Sequence, residues 1–219
     1  MYHDRISSLF YDDEATTYAE HCLIAVDGSG EPVARAATVP FSWPGDPGTD
    51  LPPGGYDAVI LAAAADRLAG RRGDRLAGIE VAVAPHARGQ GLSARMLDAV
   101  RANAARLGYR HVVVPVRPNG KHRYPDLSLP GYLARTRPDG LPEDPWLRVH
   151  VRAGGRIVSV APYSMIIAGT LDRWREWTGL PFDRDGPVRV PGALVPVQCE
   201  VAADRAVYVE PNVWVYHAV

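Results

Sequence analysis

The stretch Val81-Ala82-Val83-Ala84-Pro85-His86-Ala87-Arg88-Gly89-Gln90-Gly91-Leu92-Ser93 decides how this chain is read. The apolar run from Ile79 to Val83, bounded by Gly78 and Pro85, has the length and composition of a buried strand. Beyond the glycine-containing turn, Met96, Leu97, Val100, Ala104 and Leu107 fall at helical spacing, while Arg95, Asp98, Arg101 and Arg106 take the opposite face. Gly108 stands where a helix C-cap glycine belongs, and His111 to Val116 reads as a second strand. A strand, a glycine turn, a helix and a strand make a βαβ unit, which sets its two strands parallel in one sheet.

The turn has its own chemistry. Glycines at 89 and 91 let the backbone adopt conformations closed to other residues, so that several N–H groups can point one way. The helix opening near Leu92 adds its unpaired first-turn amides and the positive end of its dipole. Together these suit a phosphate or diphosphate. The segment is neither a P-loop, which needs G-K-[ST], nor a dinucleotide fingerprint, which needs G-x-G-x-x-G. A tight strand-to-helix connection, with glycines kept for packing, is the alternative that spacing leaves open.

Outward from this unit, Cys22–Val26 and Pro32–Pro40 flank a turn at Asp27–Gly30 and read as a hairpin. Asp57–Leu68 carries a helical stripe that Gly70 and Gly73 would end, and Thr170–Thr178 reads as a helix ended by Gly179. Leu147–Val151, Ile157–Val160 and Met165–Ala168 are strand candidates, with a short helix near Leu129–Thr136. The tail is strand-like at Leu194–Val201, Ala206–Val209 and Asn212–Tyr216. With no repeat and no linker, residues 1–219 form one domain, with a core motif at 79–116 and a C-terminal extension from about 183 to 219 that covers a sheet edge.

Composition removes several classes. At 219 residues, 47% hydrophobic and 22% charged, the chain matches an ordinary globular domain. Its 24 basic and 25 acidic side chains lack the excess that phosphate-backbone binding requires, so nucleic acid is not expected as a partner. The weakly polar run Ala58–Ala65 is too short to span a bilayer, and Met1–Arg5 does not open a secretory signal, which gives a cytoplasmic expectation without membrane association. Two distant cysteines and seven histidines without metal-ligand spacing argue against a disulfide framework or a metal. The 20 prolines and 21 glycines mark long ordered loops.

The pattern Val83-x-Pro85-x-x-Arg88-Gly89-x-Gly91-Leu92-Ser93, followed by an amphipathic helix, Gly108-Tyr109 and a strand, resembles the central motif of the GNAT superfamily of acyl-CoA N-acyltransferases. That motif is (Q/R)-x-x-G-x-(G/A), and His86 departs from its first position. Val39-Pro40-Phe41-x-Trp43, Arg117–Pro125 and Tyr208–Trp214 also look like an actinobacterial subgroup with a C-terminal β extension. The resemblance implies an α/β (α+β) fold, a mixed twisted sheet flanked by helices. It further implies acetyl-CoA or another short acyl-CoA as co-substrate, a small amine as acceptor, and no metal.

By the same resemblance, the backbone of Val81, Ala82 and Val83 pairs with the pantetheine arm. The turn Arg88, Gly89, Gln90, Gly91, Leu92 and Ser93 takes the diphosphate, and Asn119 stands at the end of the next strand. A strand amide near Val83 would stabilise the oxyanion. The family's tyrosine acid falls on Tyr132, with Tyr124 second. Glu80 and His122 are the candidate bases. Strand alternation puts Glu80 on the face opposite Val81 and Val83, a placement that a bulge would reverse. The loop Phe41–Tyr56, the insertion Asn119–Trp146 and the aromatics Trp43, Tyr56, Tyr124, Tyr132 and Trp146 are expected to wall the acceptor pocket. An acyl carrier protein or aminoacyl-tRNA donor, a non-catalytic acyl-CoA-binding module, and a homodimer stay open.

Overall fold

The run Ile79–Val83 is the second half of a longer strand, β3 (Arg75–Val83), as a computed structural model of the chain describes it for residues 4–219. Residues 1–3, which include His3, lie outside the described residues. The strand β3 is antiparallel to β2 (Pro32–Phe41), and β2 in turn to β1 (Cys22–Val26). The β1–β2 turn is tied by Asp27, whose Oδ1 accepts from the amides of Ser29 and Glu31 at 2.8 and 3.1 Å. On the other side, β4 (His111–Val116) runs parallel to β3, registered at Ala77↔Val113 alone.

Two helices clamp this half of the sheet. The helix α2 (Gly55–Leu68) covers one face with Tyr56, Val59, Ile60 and Ala63, and α3 (Leu92–Arg106) covers the other with Met96, Val100 and Ala104. Burying each of Val59, Ile60, Met96 and Val100 contributes on the order of 1.5–3 kcal/mol. The N-terminal α1 (Ser8–Tyr11) buries Phe10 against Tyr18. The short α4 (Leu129–Leu133) and α5 (Pro145–Arg152) bring Leu129, Tyr132 and Leu147 onto Val116, Val213 and Val215.

The segment 147–151, expected as a strand, is helical. Asp144 caps α5, its Oδ1 accepting from the amides of Trp146 and Leu147 at 2.9 and 3.0 Å, with Pro145 in the first turn. The two strand candidates at 157–160 and 165–168 form one bulged strand, β5 (Arg156–Gly169). After α6 (Leu171–Thr178) come β6 (Gly186–Val188), β7 (Val197–Glu200) and β8 (Arg205–Ala218).

The C-terminal extension does not cover an edge. The strand β8 lies inside the sheet, whose order is β1-β2-β3-β4-β8-β7-β6, with β5 along the other edge of β8. Its apolar run explains this: Val213, Trp214 and Val215 are fully buried, as in a strand covered on both faces.

Candidate active site

One extra residue in β3 shapes the site. Ala37 pairs with Glu80 and Thr38 with Gly78, so Ile79 has no partner on β2. This bulge resets the alternation of side chains. Gly78 faces the α3 side, where an added Cβ would meet Val114 Cγ2 at 3.1 Å, and Ile79 packs into the α2-side core. Glu80 then points to that α2 side as well, and Val81 and Val83 return to the α3 side. Glu80 is therefore opposite Val81 and Val83, and the bulge sets it on the same side as Ile79.

Past the bulge β3 and β4 share no ladder, and a cleft of about 310 Å³ opens between them. Leu97 and Val100 of α3 lie below it; Tyr11, Tyr56 and Met165 lie above. Glu80 lines it with one oxygen engaged: Oε2 accepts from Tyr11 Oη at 3.2 Å and pairs with Arg35 Nε at 3.1 Å, and Arg35 Nη2 bonds Glu14 Oε2 at 2.8 Å. Glu80 Oε1 has no hydrogen-bond partner among the described residues. Burial, then the Glu80 charge, pushes the Tyr11 phenol up to about 12. Burial and the neighbouring Tyr11 also raise Tyr56, whose buried hydroxyl has no well-formed hydrogen bond.

The far end of the cleft is a buried polar chain. Ser164 Oγ accepts from Tyr56 N at 2.8 Å and donates to Asn212 Oδ1 at 2.6 Å. Asn212 Nδ2 donates to Glu210 Oε1 at 3.1 Å, and Arg117 Nε bonds Glu210 Oε2 at 2.9 Å.

The turn after β3 leaves its backbone amides open. Gly89 and Gly91 take φ of +81° and +76°, and an added Cβ at either would meet no atom within 4 Å, so the cradle stays open. The amides of Gly89, Gln90 and Gly91 donate to no acceptor among the described residues, and α3 follows without an acidic residue in its first turn or a side-chain cap. Arg88 Nε reaches Val83 O at 3.4 Å, bracing the turn against the strand. Val81, Ala82 and Asn119 line the cleft.

Other expected residues lie elsewhere. Tyr132 donates its hydroxyl to Asp144 Oδ2 at 2.9 Å, and the same oxygen accepts from Gly120 N at 2.7 Å. Tyr132 is thus held within the insertion and is not part of the cleft lining. Tyr124 stacks under Arg135, and His122 is exposed on a short 3-10 turn; neither lines the cleft. Of the five aromatics expected to wall an acceptor pocket, Tyr56 and Trp146 line this cleft, and Trp43, Tyr124 and Tyr132 do not. Tyr11, Arg35 and the Arg117–Glu210 pair escaped the sequence reading. Their signal is purely tertiary.

No helix among the described residues is long and apolar enough to cross a membrane. No group of three or more His, Cys, Asp or Glu among them has the arrangement to hold a metal.

Comparisons with known proteins bear on the family and the fold. The profile of the acetyltransferase (GNAT) family matches residues 2–124. The arginine N-acetyltransferase avaD of Aspergillus versicolor is 37% identical over 193 residues, covering 79% of this chain and 67% of its own. Among solved structures, the loading GNATL domain of CurA from Lyngbya majuscula superposes with a TM-score of 0.59 at 16% identity, over 94% of this chain and 80% of that one. The GphF GNAT-like decarboxylase, solved with isobutyryl-CoA, gives 0.51 at 20% identity over 94% and 82%. At such identities the likeness is one of fold.

Proposed function

The chain belongs to the acetyltransferase (GNAT) family and is an acyl-coenzyme A-dependent N-acetyltransferase; from that premise we propose that it acylates a small amine related to arginine, with Glu80 as base. The acceptor is suggested by the relative from Aspergillus versicolor, whose name gives arginine as its substrate. The observation that carries the role of Glu80 is its place in the lining of the cleft between β3 and β4, on the side set by the Ile79 bulge, with Oε1 free of hydrogen bonds among the described residues.

The diphosphate rests on the turn from Arg88 to Ser93, and the pantetheine arm lies along Val81 to Val83, adding a strand where β4 has diverged. The neutral amine attacks the thioester carbonyl. Glu80 Oε1 accepts the proton that the nitrogen loses as the C–N bond forms. The C–S bond then breaks and the thiolate takes the hydroxyl proton of Tyr11, while the protonated Glu80 carboxyl turns its O–H to the Tyr11 oxygen and replaces that proton. A phenol raised to about 12 is a weaker acid than a thiol near 8.5, so Tyr11 passes the proton on and does not stay ionised. Atoms and charge balance: an amide and a free thiol leave, and Glu80 returns to its carboxylate. The acyl-CoA donor, an intracellular metabolite, supports a cytoplasmic workplace.

The test is thiol release from acetyl-CoA against arginine, agmatine, lysine and simple alkylamines. Amine-dependent release, greatest with the arginine-type acceptors, is expected. Binding of acetyl-CoA without release by any amine would reject the reading.

A further inference from the structure

The two ladders on one edge of β8 leave a gap. Val213 to Ala218 pair with β4, and Arg205 to Val207 pair with β7, so Tyr208 to Asn212 have no strand beside them on that edge. Side chains fill the space instead. Arg117 Nε bonds both oxygens of Glu210 at 3.1 and 2.9 Å, and Arg117 Nη2 donates to Gly192 O at 2.7 Å. Tyr208 Oη donates to Glu210 Oε2 at 2.7 Å and accepts from Leu194 N at 2.9 Å.

Behind this partition lies a second cavity of about 390 Å³, within the range of small-molecule sites. It is walled by Ile167, Trp174, Trp177, Val190 and Ala193. Met165, Arg117 and Glu210 belong to its lining and to that of the catalytic cleft, so the two are compartments on either side of one partition. Both oxygens of Glu210 are engaged and its charge is met by Arg117, so it offers no free carboxylate to a cationic tail. Arg117 Nη1 has no acceptor among the described residues. The compartment thus presents mainly aromatic and aliphatic walls, with Arg117 in the partition that it shares with the cleft.

We infer that this chamber holds the body of the acceptor. The acceptor is an amine that also carries an aromatic or branched apolar group, with a carbonyl or carboxylate oxygen between the two that binds Arg117 Nη1. The amine reacts beside Glu80 while the apolar group fills the chamber. This rests on the proposed role of Glu80 and narrows the acceptor class: a free, fully polar amino acid leaves the chamber empty, whereas an aryl amide of an amino acid fills it.

The experiment compares matched acceptors with acetyl-CoA, arginine amide against arginine β-naphthylamide. Rates are read by thiol release and affinities by calorimetry. In the wild-type protein the aryl member is expected to have at least tenfold higher kcat/KM, in line with what apolar pocket contacts discriminate. Ala193→Trp, which fills the chamber from a half-buried loop position, should erase that preference while the Kd for acetyl-CoA holds. Trp177→Ala should reduce it tenfold. Equal or poorer use of the aryl amide by the wild-type protein, or a preference that survives Ala193→Trp, overturns the inference. If turnover is absent with both acceptors but calorimetry keeps the aryl preference, the chamber stands and the role of Glu80 falls; no preference in either readout overturns the chamber.

Discussion

The Tyr11 hydroxyl donates to Oε2 of Glu80 across 3.2 Å, joining a phenol on α1 to the carboxylate of the central strand. Residues 69 positions apart meet because α1 packs on α2 and the Ile79 bulge turns Glu80 to the same face. Arg35 holds that same oxygen and leaves the other one free.

From this arrangement, Glu80→Gln should lower kcat by about 10²–10⁴, the usual range for a positioned base. The Kd for acetyl-CoA should stay within about twofold, since nothing assigned to the diphosphate touches Glu80. Tyr11→Phe should cost roughly tenfold, because a water can replace a relaying hydroxyl. Stopped-flow thiol release and calorimetry check both; a Glu80→Gln enzyme with full kcat would remove the carboxylate from the mechanism.

At the turn, Gly91→Val should weaken acetyl-CoA binding by about tenfold or more. A β-branched residue is poorly tolerated at positive φ, and its side chain would enter the open cradle. Gln90→Ala should change the Kd little, because the interaction belongs to backbone amides. Titration calorimetry of the two variants separates these roles.

The Tyr132 hydroxyl, held by Asp144, predicts a stability effect. Tyr132→Phe removes a hydrogen bond to a carboxylate and should cost roughly 1.5–3 kcal/mol. Denaturant unfolding measures it. A large fall in kcat without loss of stability would return Tyr132 to the chemistry.

Acid should destabilise the fold. His150 Nδ1 and His217 Nε2 lie 2.9 Å apart in the core, and burial pushes the two imidazoles down to about 3 and about 4. Both are neutral in the folded protein but take protons in the unfolded chain below pH about 6.5. The unfolded state therefore binds more protons from pH 6.5 down to about 4, and stability falls across that window. Burial raises Asp57 to about 7, which acts in the opposite sense between about 4 and 7. Two histidines outweigh one carboxyl, so Tm should drop as pH is lowered from 6.5 to 4. Melts across that range test the sign, and His217→Gln should flatten the slope.

Local signals were legible and distant ones were not. The strand, glycine turn and helix around Gly89 and Gly91 could be read because each is set by residues a few positions apart. The segment Leu147–Val151 misled because its apolar–polar alternation imitates a strand; the Asp144-Pro145 start signal was present and identifies the helix. The bulge at Ile79 depends on how β2 registers, and Tyr11 reaches the cleft only through the packing of α1. Neither leaves a periodic trace. Tyr132 matched the family's order of elements, but Asp144 in the insertion captured its hydroxyl.

The place of β8 has a consequence for biosynthesis. Val113, paired with Ala77 on one side, receives its second neighbour, Tyr216, only after roughly a hundred further residues have been translated, a long-range closure of the kind that slows folding. Until then the nascent chain carries an apolar strand with a bare flank, which makes this stretch a natural client for a chaperone and a hazard in truncated expression products.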